Sequence, residues 1–201
     1  MMILITGGSK CGKSRYAESL FAEFSGRKYY MATMMPFGDE AHEAIERHRK
    51  MRASKGFETI EKYTDVGEAD IEPGSAVLLE CLGNLVANEM FGEGIFPADC
   101  KNKIFCDIIE LKDKASLLVI VTNDVGSDSL FYESGTEKFI EVLGQLNSEI
   151  AEASEKVVEC VYGIPVVLKD NFIHSDNSVN EVDDINDNQN GSDHGKGECG
   201  C

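Results

Sequence analysis

Positive charge is scarce in this sequence. Its 201 residues hold 19 Lys and Arg against 36 Asp and Glu, a formal net charge of −17. So anionic a chain repels nucleic acid and acidic membranes, and neither is expected as a partner. Long apolar runs are also missing: no stretch reaches the roughly 18 to 20 residues that a membrane helix needs. The opening MMILITGG lacks a basic flank and is too short for a signal-peptide core, so a cytoplasmic protein is expected. The cysteines number seven, an odd count, scattered without the paired spacing of metal ligands. A disulfide framework is not expected in such a chain. Cys81 and Cys160 lie in apolar runs and read as small buried hydrophobes. No internal repeat is visible.

What is present suits one globular domain with a sizeable core: 42% of residues are hydrophobic and 27% charged. MILIT (2–6), KYYMAT (28–33), AVLLEC (76–81) and SLLVIVT (116–122) read as strands of almost unbroken apolar character. KVVECVYG and PVVLK read as two more near the end. Helices are expected at 13–25, where Ala17, Leu20, Phe21 and Phe24 share a face, at 39–52, and at 133–155. The 39–52 helix begins with acids and ends with bases, which suits its dipole. Apolar strands separated by helices imply a mostly parallel sheet covered on both faces, an α/β fold. After Lys169 the composition turns to Asn, Asp, Ser and Gly, with eight acids and one lysine between Asp170 and Cys201. The expectation is a catalytic domain over 1–169 and a disordered acidic tail over 170–201.

GGSKCGKS (7–14) carries the strongest motif. Gly7-x-x-x-x-Gly12-Lys13-Ser14 follows a strand and opens a helix, as a phosphate-binding P-loop must. Its glycines let the backbone curl, so that the N–H groups of Gly7, Gly8, Ser9, Lys10, Cys11 and Gly12 turn toward phosphate oxygens. Lys13 reaches the β- and γ-phosphates, and the Ser14 hydroxyl can ligate Mg²⁺. Such a site needs a second acid near the metal. Glu80, at the end of AVLLE, is the better candidate, because a carboxylate in an apolar strand needs a charged partner or a metal. Asp124, just past SLLVIVTN, is the other, with a turn or capping role as its alternative.

ERHRKMRASK (46–55) surrounds His48 with Arg47, Arg49, Lys50, Arg52 and Lys55. On a helix His48 and Arg52 share a side, so both can address one anion. Neighbouring cations favour neutral imidazole, a nucleophile toward phosphorus. An exposed helix carrying one solvated histidine fits the same residues.

At this point the chain resembles a known family, the bifunctional adenosylcobinamide kinase and adenosylcobinamide-phosphate guanylyltransferase of cobalamin biosynthesis. MMILITGGSKCGKSRYAE, YYMAT, Asp39-Glu40 with Ile45-x-x-His48-Arg49-x-x-Arg52, LLEC (78–81), VTNDVG (121–126), GQLN (144–147) and GIPVVLK (163–169) match its blocks in order. The resemblance spans residues 1–169. It implies a P-loop α/β fold assembled as a trimer, with GTP and ATP as substrates and Mg²⁺ as cofactor. It implies phosphorylation of adenosylcobinamide, then transfer of GMP from GTP to that phosphate through a guanylylated His48, with Lys13 also catalytic. It further places Thr33, Met34 and Met35, then Arg49, Lys50, Met51 and Arg52, and Glu61 and Glu80, at the nucleotide. The chain departs from the family pattern at Ala44, at Leu82-Gly83, at Asp124 and across 127–147. Two other readings remain: a P-loop kinase of another small alcohol, and a GTP-binding regulatory protein without catalysis.

Overall fold

The computed structural model describes residues 1–36, 54–92, 99–125 and 134–171. Its elements run β1 (Met2–Thr6), α1 (Lys13–Ser19), β2 (Lys28–Ala32), β3 (Phe57–Glu61), β4 (Ala76–Glu80), α2 (Leu82–Phe91), α3 (Cys100–Lys114), β5 (Leu117–Val121), α4 (Ser134–Ala153), β6 (Lys156–Val161) and β7 (Ile164–Asp170). The strands form one sheet in the order β3-β2-β4-β5-β1-β6-β7. Its first six strands run parallel, and β7 folds back antiparallel on β6. This is the expected mostly parallel α/β architecture. Among the described residues no helix is long and apolar enough to cross a membrane.

Both faces of the sheet are covered, which is why the central strands are apolar along their whole length. On one side Met2, Leu4, Met31, Leu79, Leu118 and Ile120 pack against α2, α3 and α4 through Leu85, Ile104, Ile108 and Leu146. On the other, Ile3, Ile5, Leu78 and Val119 meet Ala17 and Phe21 of the α1 segment. Lys103 ties α3 to α2 and to the segment after β3: its ammonium lies 2.7 Å from Asp65, 2.6 Å from Glu89 and 3.1 Å from Asp107. Burial alone would lower the Lys103 pKa; the three carboxylates outweigh it and hold the lysine above its ordinary value.

Some boundaries differ from the sequence reading. Helix α1 ends at Ser19 rather than 25, because the chain tightens into i→i−3 turns from Leu20 to Phe24. The Ser19 hydroxyl donates back to Tyr16 O at 2.6 Å, a bond that competes with the helical ladder. The apolar face still forms, with Ala17 and Phe21 buried. Strand β7 continues through Asp170, assigned above to the tail, because Asp170 accepts from Lys156 at 2.7 Å. Strand β3 and helices α2 and α3 were not singled out in the sequence. The helix expected at 39–52, with His48, and the segment from 172 onward lie outside the described residues.

The fold also clamps the loop between β1 and α1. The Gly163 N–H, in the β6–β7 turn, donates to Cys11 O at 2.9 Å. Gly7 has φ 136°, and a Cβ there would stand 2.5 Å from Cys160 O, a backbone atom that cannot swing aside. Gly7→Ala should therefore displace the loop at a cost of about 1–3 kcal/mol. Its expected signature is a midpoint of thermal unfolding lowered by several degrees with unchanged far-UV circular dichroism. An unaltered midpoint would contradict the clamp. For the core, Ile108→Ala at a fully buried position should lose about 2–5 kcal/mol by denaturant titration. Leu168→Ala, at a residue 58% exposed, should stay within about 0.5 kcal/mol of the parent.

Candidate active site

Residues paired in register across a parallel sheet point to the same side. One such row, at the carboxyl ends of the strands, reads Glu61, Ala32, Glu80, Val121 and Ile5. The row two residues earlier reads Thr59, Tyr30, Leu78, Val119 and Ile3. Between two carboxylates the upper row carries only the methyl of Ala32. The surface therefore dips, and a pocket of about 310 Å³ opens there, its walls including Ser9, Lys10, Lys13, Ser14, Met34 and Tyr63. Carboxyl ends of parallel strands are where ligands sit in sheets of this kind.

The loop from Gly7 to Ser14 forms one wall. Three of its residues have positive φ: Gly7 at 136°, Lys10 at 56° and Gly12 at 98°. These left-handed turns produce the curl expected of a phosphate cradle. Lys13 is 7% exposed, and its ammonium donates to Gly7 O at 2.8 Å and Gly8 O at 2.6 Å. A buried ammonium needs such acceptors. The carbonyls hold the charge beside the cradle, within reach of an incoming phosphate.

Of the two acids weighed in the sequence, Glu80 reaches the loop. The Ser14 hydroxyl donates to Glu80 Oε1, and the Tyr30 hydroxyl donates to Oε2 at 2.8 Å. Asp124 is exposed, and its backbone amide lies 3.5 Å from Gly7 O. Ser14 and Glu80 thus present a hydroxyl and a carboxylate oxygen in direct contact beside the phosphate cradle. That oxygen pair suits a hard divalent cation such as Mg²⁺, which takes few protein ligands and completes its shell with water and phosphate.

The other expected residues divide. Met34 and Glu61 line the pocket. Thr33 is fully buried beneath it, where its hydroxyl donates to Cys81 O and accepts from Cys81 N–H, both at 2.8 Å. Met35 is half-buried and is not part of the wall. Arg49, Lys50, Met51 and Arg52 lie with His48 outside the described residues. The sequence reading missed Tyr30, Thr59, Tyr63 and Asn84, all in the wall. A period of two would have found most of them: Tyr30, Ala32 and Met34 share one face of β2 and its extension, and Thr59, Glu61 and Tyr63 one face of β3 and its extension. The Tyr63 hydroxyl donates to Glu61 at 3.2 Å. Burial and then the Glu61 charge raise the Tyr63 pKa, so the phenol stays protonated at neutral pH.

Asn88 of α2 joins the two strand extensions. Its side-chain amide donates to Thr33 O at 2.7 Å and to Tyr63 O at 3.0 Å. The segments that carry Met34 and Tyr63 into the pocket therefore leave the sheet at a fixed separation.

The sequence is similar to those of known proteins. The family model described as cobinamide kinase / cobinamide phosphate guanyltransferase matches residues 3–168. The chain is 33% identical to the bifunctional adenosylcobalamin biosynthesis protein CobU of Escherichia coli (strain K12), over 84% of this chain and 100% of that one. To the protein of the same name from Salmonella typhimurium it is 31% identical, with the same coverage. To the bifunctional adenosylcobalamin biosynthesis protein CobP of Pseudomonas aeruginosa it is 27% identical, over 84% of this chain and 98% of that one. With a family match across most of its length and relatives covered end to end, the chain belongs to the cobinamide kinase / cobinamide phosphate guanyltransferase family.

Proposed function

We propose that the chain carries both activities of its family. It phosphorylates the hydroxyl on the aminopropanol arm of adenosylcobinamide, then transfers GMP from GTP to that phosphate. The observation that carries this reading is the family match over residues 3–168, which takes in the P-loop, Glu80 and the His48 motif together.

For phosphoryl transfer, the loop N–H groups and Lys13 stabilise charge that develops on the γ-phosphate and on the leaving β-phosphate. Little covalent chemistry is asked of the protein there, so positioning and charge dominate. Ser14 and Glu80 would hold Mg²⁺, which when bound neutralises phosphate charge. For guanylyl transfer, His48 attacks the α-phosphorus of GTP, forming an N–P bond as pyrophosphate leaves. An oxygen of the cobinamide phosphate then attacks the same phosphorus and breaks the N–P bond, giving adenosyl-GDP-cobinamide. Arg52, four residues along the sequence from His48, would steady phosphate oxygens with its planar fork. Glu61 and Met34 would form the nucleotide end of the pocket, with Thr33 anchoring the β2 extension from below.

Incubation with α-labelled GTP and Mg²⁺ should leave a label on the protein that acid removes and base does not. His48→Ala should abolish it. A His48→Ala chain that labels as well as the parent would overturn the intermediate. Glu80→Gln should slow kinase turnover by about 100-fold or more, because a bound metal is worth several kcal/mol of charge stabilisation. Turnover within two-fold or so of the parent would remove Glu80 from the site.

A further inference from the structure

Tyr30 sits in the YYMAT block without an assigned role, yet it is built into the wall of the site. It is 3% exposed, and its ring meets Phe57 edge-on with centroids 6.4 Å apart and planes at 88°. Its hydroxyl donates to Glu80 Oε2 at 2.8 Å, while Ser14 donates to Oε1. The sheet register dictates this meeting. Tyr30 pairs with Leu78, two residues before Glu80 on the adjacent strand, so both side chains rise from the same side on a diagonal. That diagonal is within reach of an aromatic side chain.

Packing accounts for the ring and not for the hydroxyl. Phenylalanine would fill the same space against Phe57. The hydroxyl matters to Glu80, a flexible side chain with three torsions, placed above an apolar strand and below a phosphate loop. A phenol with an ordinary pKa of about 10 is a donor throughout the neutral range. It ties one carboxylate oxygen of Glu80. The other oxygen is thereby turned toward Ser14. The two donors also differ in what a cation does to them. The Ser14 proton lies between the two atoms that a metal would join, so that bond must open when a cation binds. The bond to the far oxygen need not.

We propose that Tyr30 is a positioning residue for the divalent cation: by holding Glu80 Oε2, it keeps Oε1 aimed at Ser14 and the phosphate loop. The inference rests on the reading of Ser14 and Glu80 as the cation-holding pair. Partners that orient metal ligands commonly change metal affinity by about 10- to 100-fold when removed.

The test is Tyr30→Phe, which deletes one oxygen and keeps the ring on Phe57. Binding of Mn²⁺ to the GDP-saturated protein is read by electron paramagnetic resonance, beside GDP affinity in EDTA. Glu80→Gln serves as the reference. The expected result is a Mn²⁺ dissociation constant raised about 10-fold or more, with GDP affinity in EDTA within about two-fold. Kinase activity should then require more Mg²⁺ and return to the parent plateau when Mg²⁺ is saturating. A general packing defect would not be rescued this way, and a plateau that stays low would overturn the proposal. Parent-like Mn²⁺ binding in Tyr30→Phe, with binding lost in Glu80→Gln, would also overturn it while sparing the Ser14–Glu80 reading. Mn²⁺ binding unaffected by Glu80→Gln would remove that reading and the proposal together.

Discussion

Everything at the site depends on one carboxylate placed where a strand would otherwise stay apolar. Glu80 ends β4, whose preceding residues Ala76 to Leu79 are all fully buried. A carboxylate on such a strand is tolerated only with strong partners. It has two hydroxyl donors, one from the first turn of α1 and one from β2. Those two contacts knit three neighbouring parts of the sheet at the point where the phosphate loop crosses it. The loop cannot drift from the sheet without leaving Glu80 Oε1 short of a donor. A cation held by Ser14 and Glu80, as proposed, would preserve the connection. Structural and ligand-binding demands thus fall on the same pair of atoms.

The pocket beside that pair is a product of period-two geometry more than of loops. Glu61, Ala32 and Glu80 form a row across three adjacent strands, large, small and large. A larger side chain at Ala32 would fill the dip; a glycine would leave the strand without a side chain to pack. Thr33, one residue on, points to the other side and stays buried, bonded to the Cys81 backbone. Alternate residues of a single segment therefore do two jobs, lining the pocket and anchoring it. Asn88 then fixes the spacing of the β2 and β3 extensions, held by a helix whose apolar stripe packs on the face opposite α1.

This explains which parts were legible in the sequence. The phosphate loop was legible because its chemistry demands glycine at fixed spacing between a strand and a helix. Glu80 was legible because a charge at the end of an apolar run is physically conspicuous. Tyr30 was not, since a tyrosine inside KYYMAT reads as core, and half of its role is core: only the register with Leu78 shows where its hydroxyl goes. Strand β3 was missed for a similar reason. FETIE at a sheet edge holds Phe57 and Ile60 three residues apart, on opposite faces, and gives neither a continuous apolar run nor a strict alternation. Helix α2 carries Gly83, Asn84 and Asn88, weak helix formers that hid a buried stripe of Leu82, Leu85, Val86 and Met90. In each case tertiary packing, invisible to local pattern, decides the outcome.

On the proposed reading, two reactions use one cradle, and the cradle does not choose between them. A loop that holds β- and γ-phosphates stabilises the γ-phosphoryl group when that group is transferred, and stabilises pyrophosphate when that is the leaving group. Its fixed charges serve both, because in each case negative charge accumulates on the same phosphates. The choice must come from which nucleophile reaches which phosphorus. A substrate hydroxyl must approach from the γ end, and His48 from the α end. The clamped loop and the Glu80 connections are the parts both reactions share. The selecting group, His48, belongs by sequence to the segment between β2 and β3, the two strands whose carboxyl ends Asn88 holds apart at the mouth of the pocket.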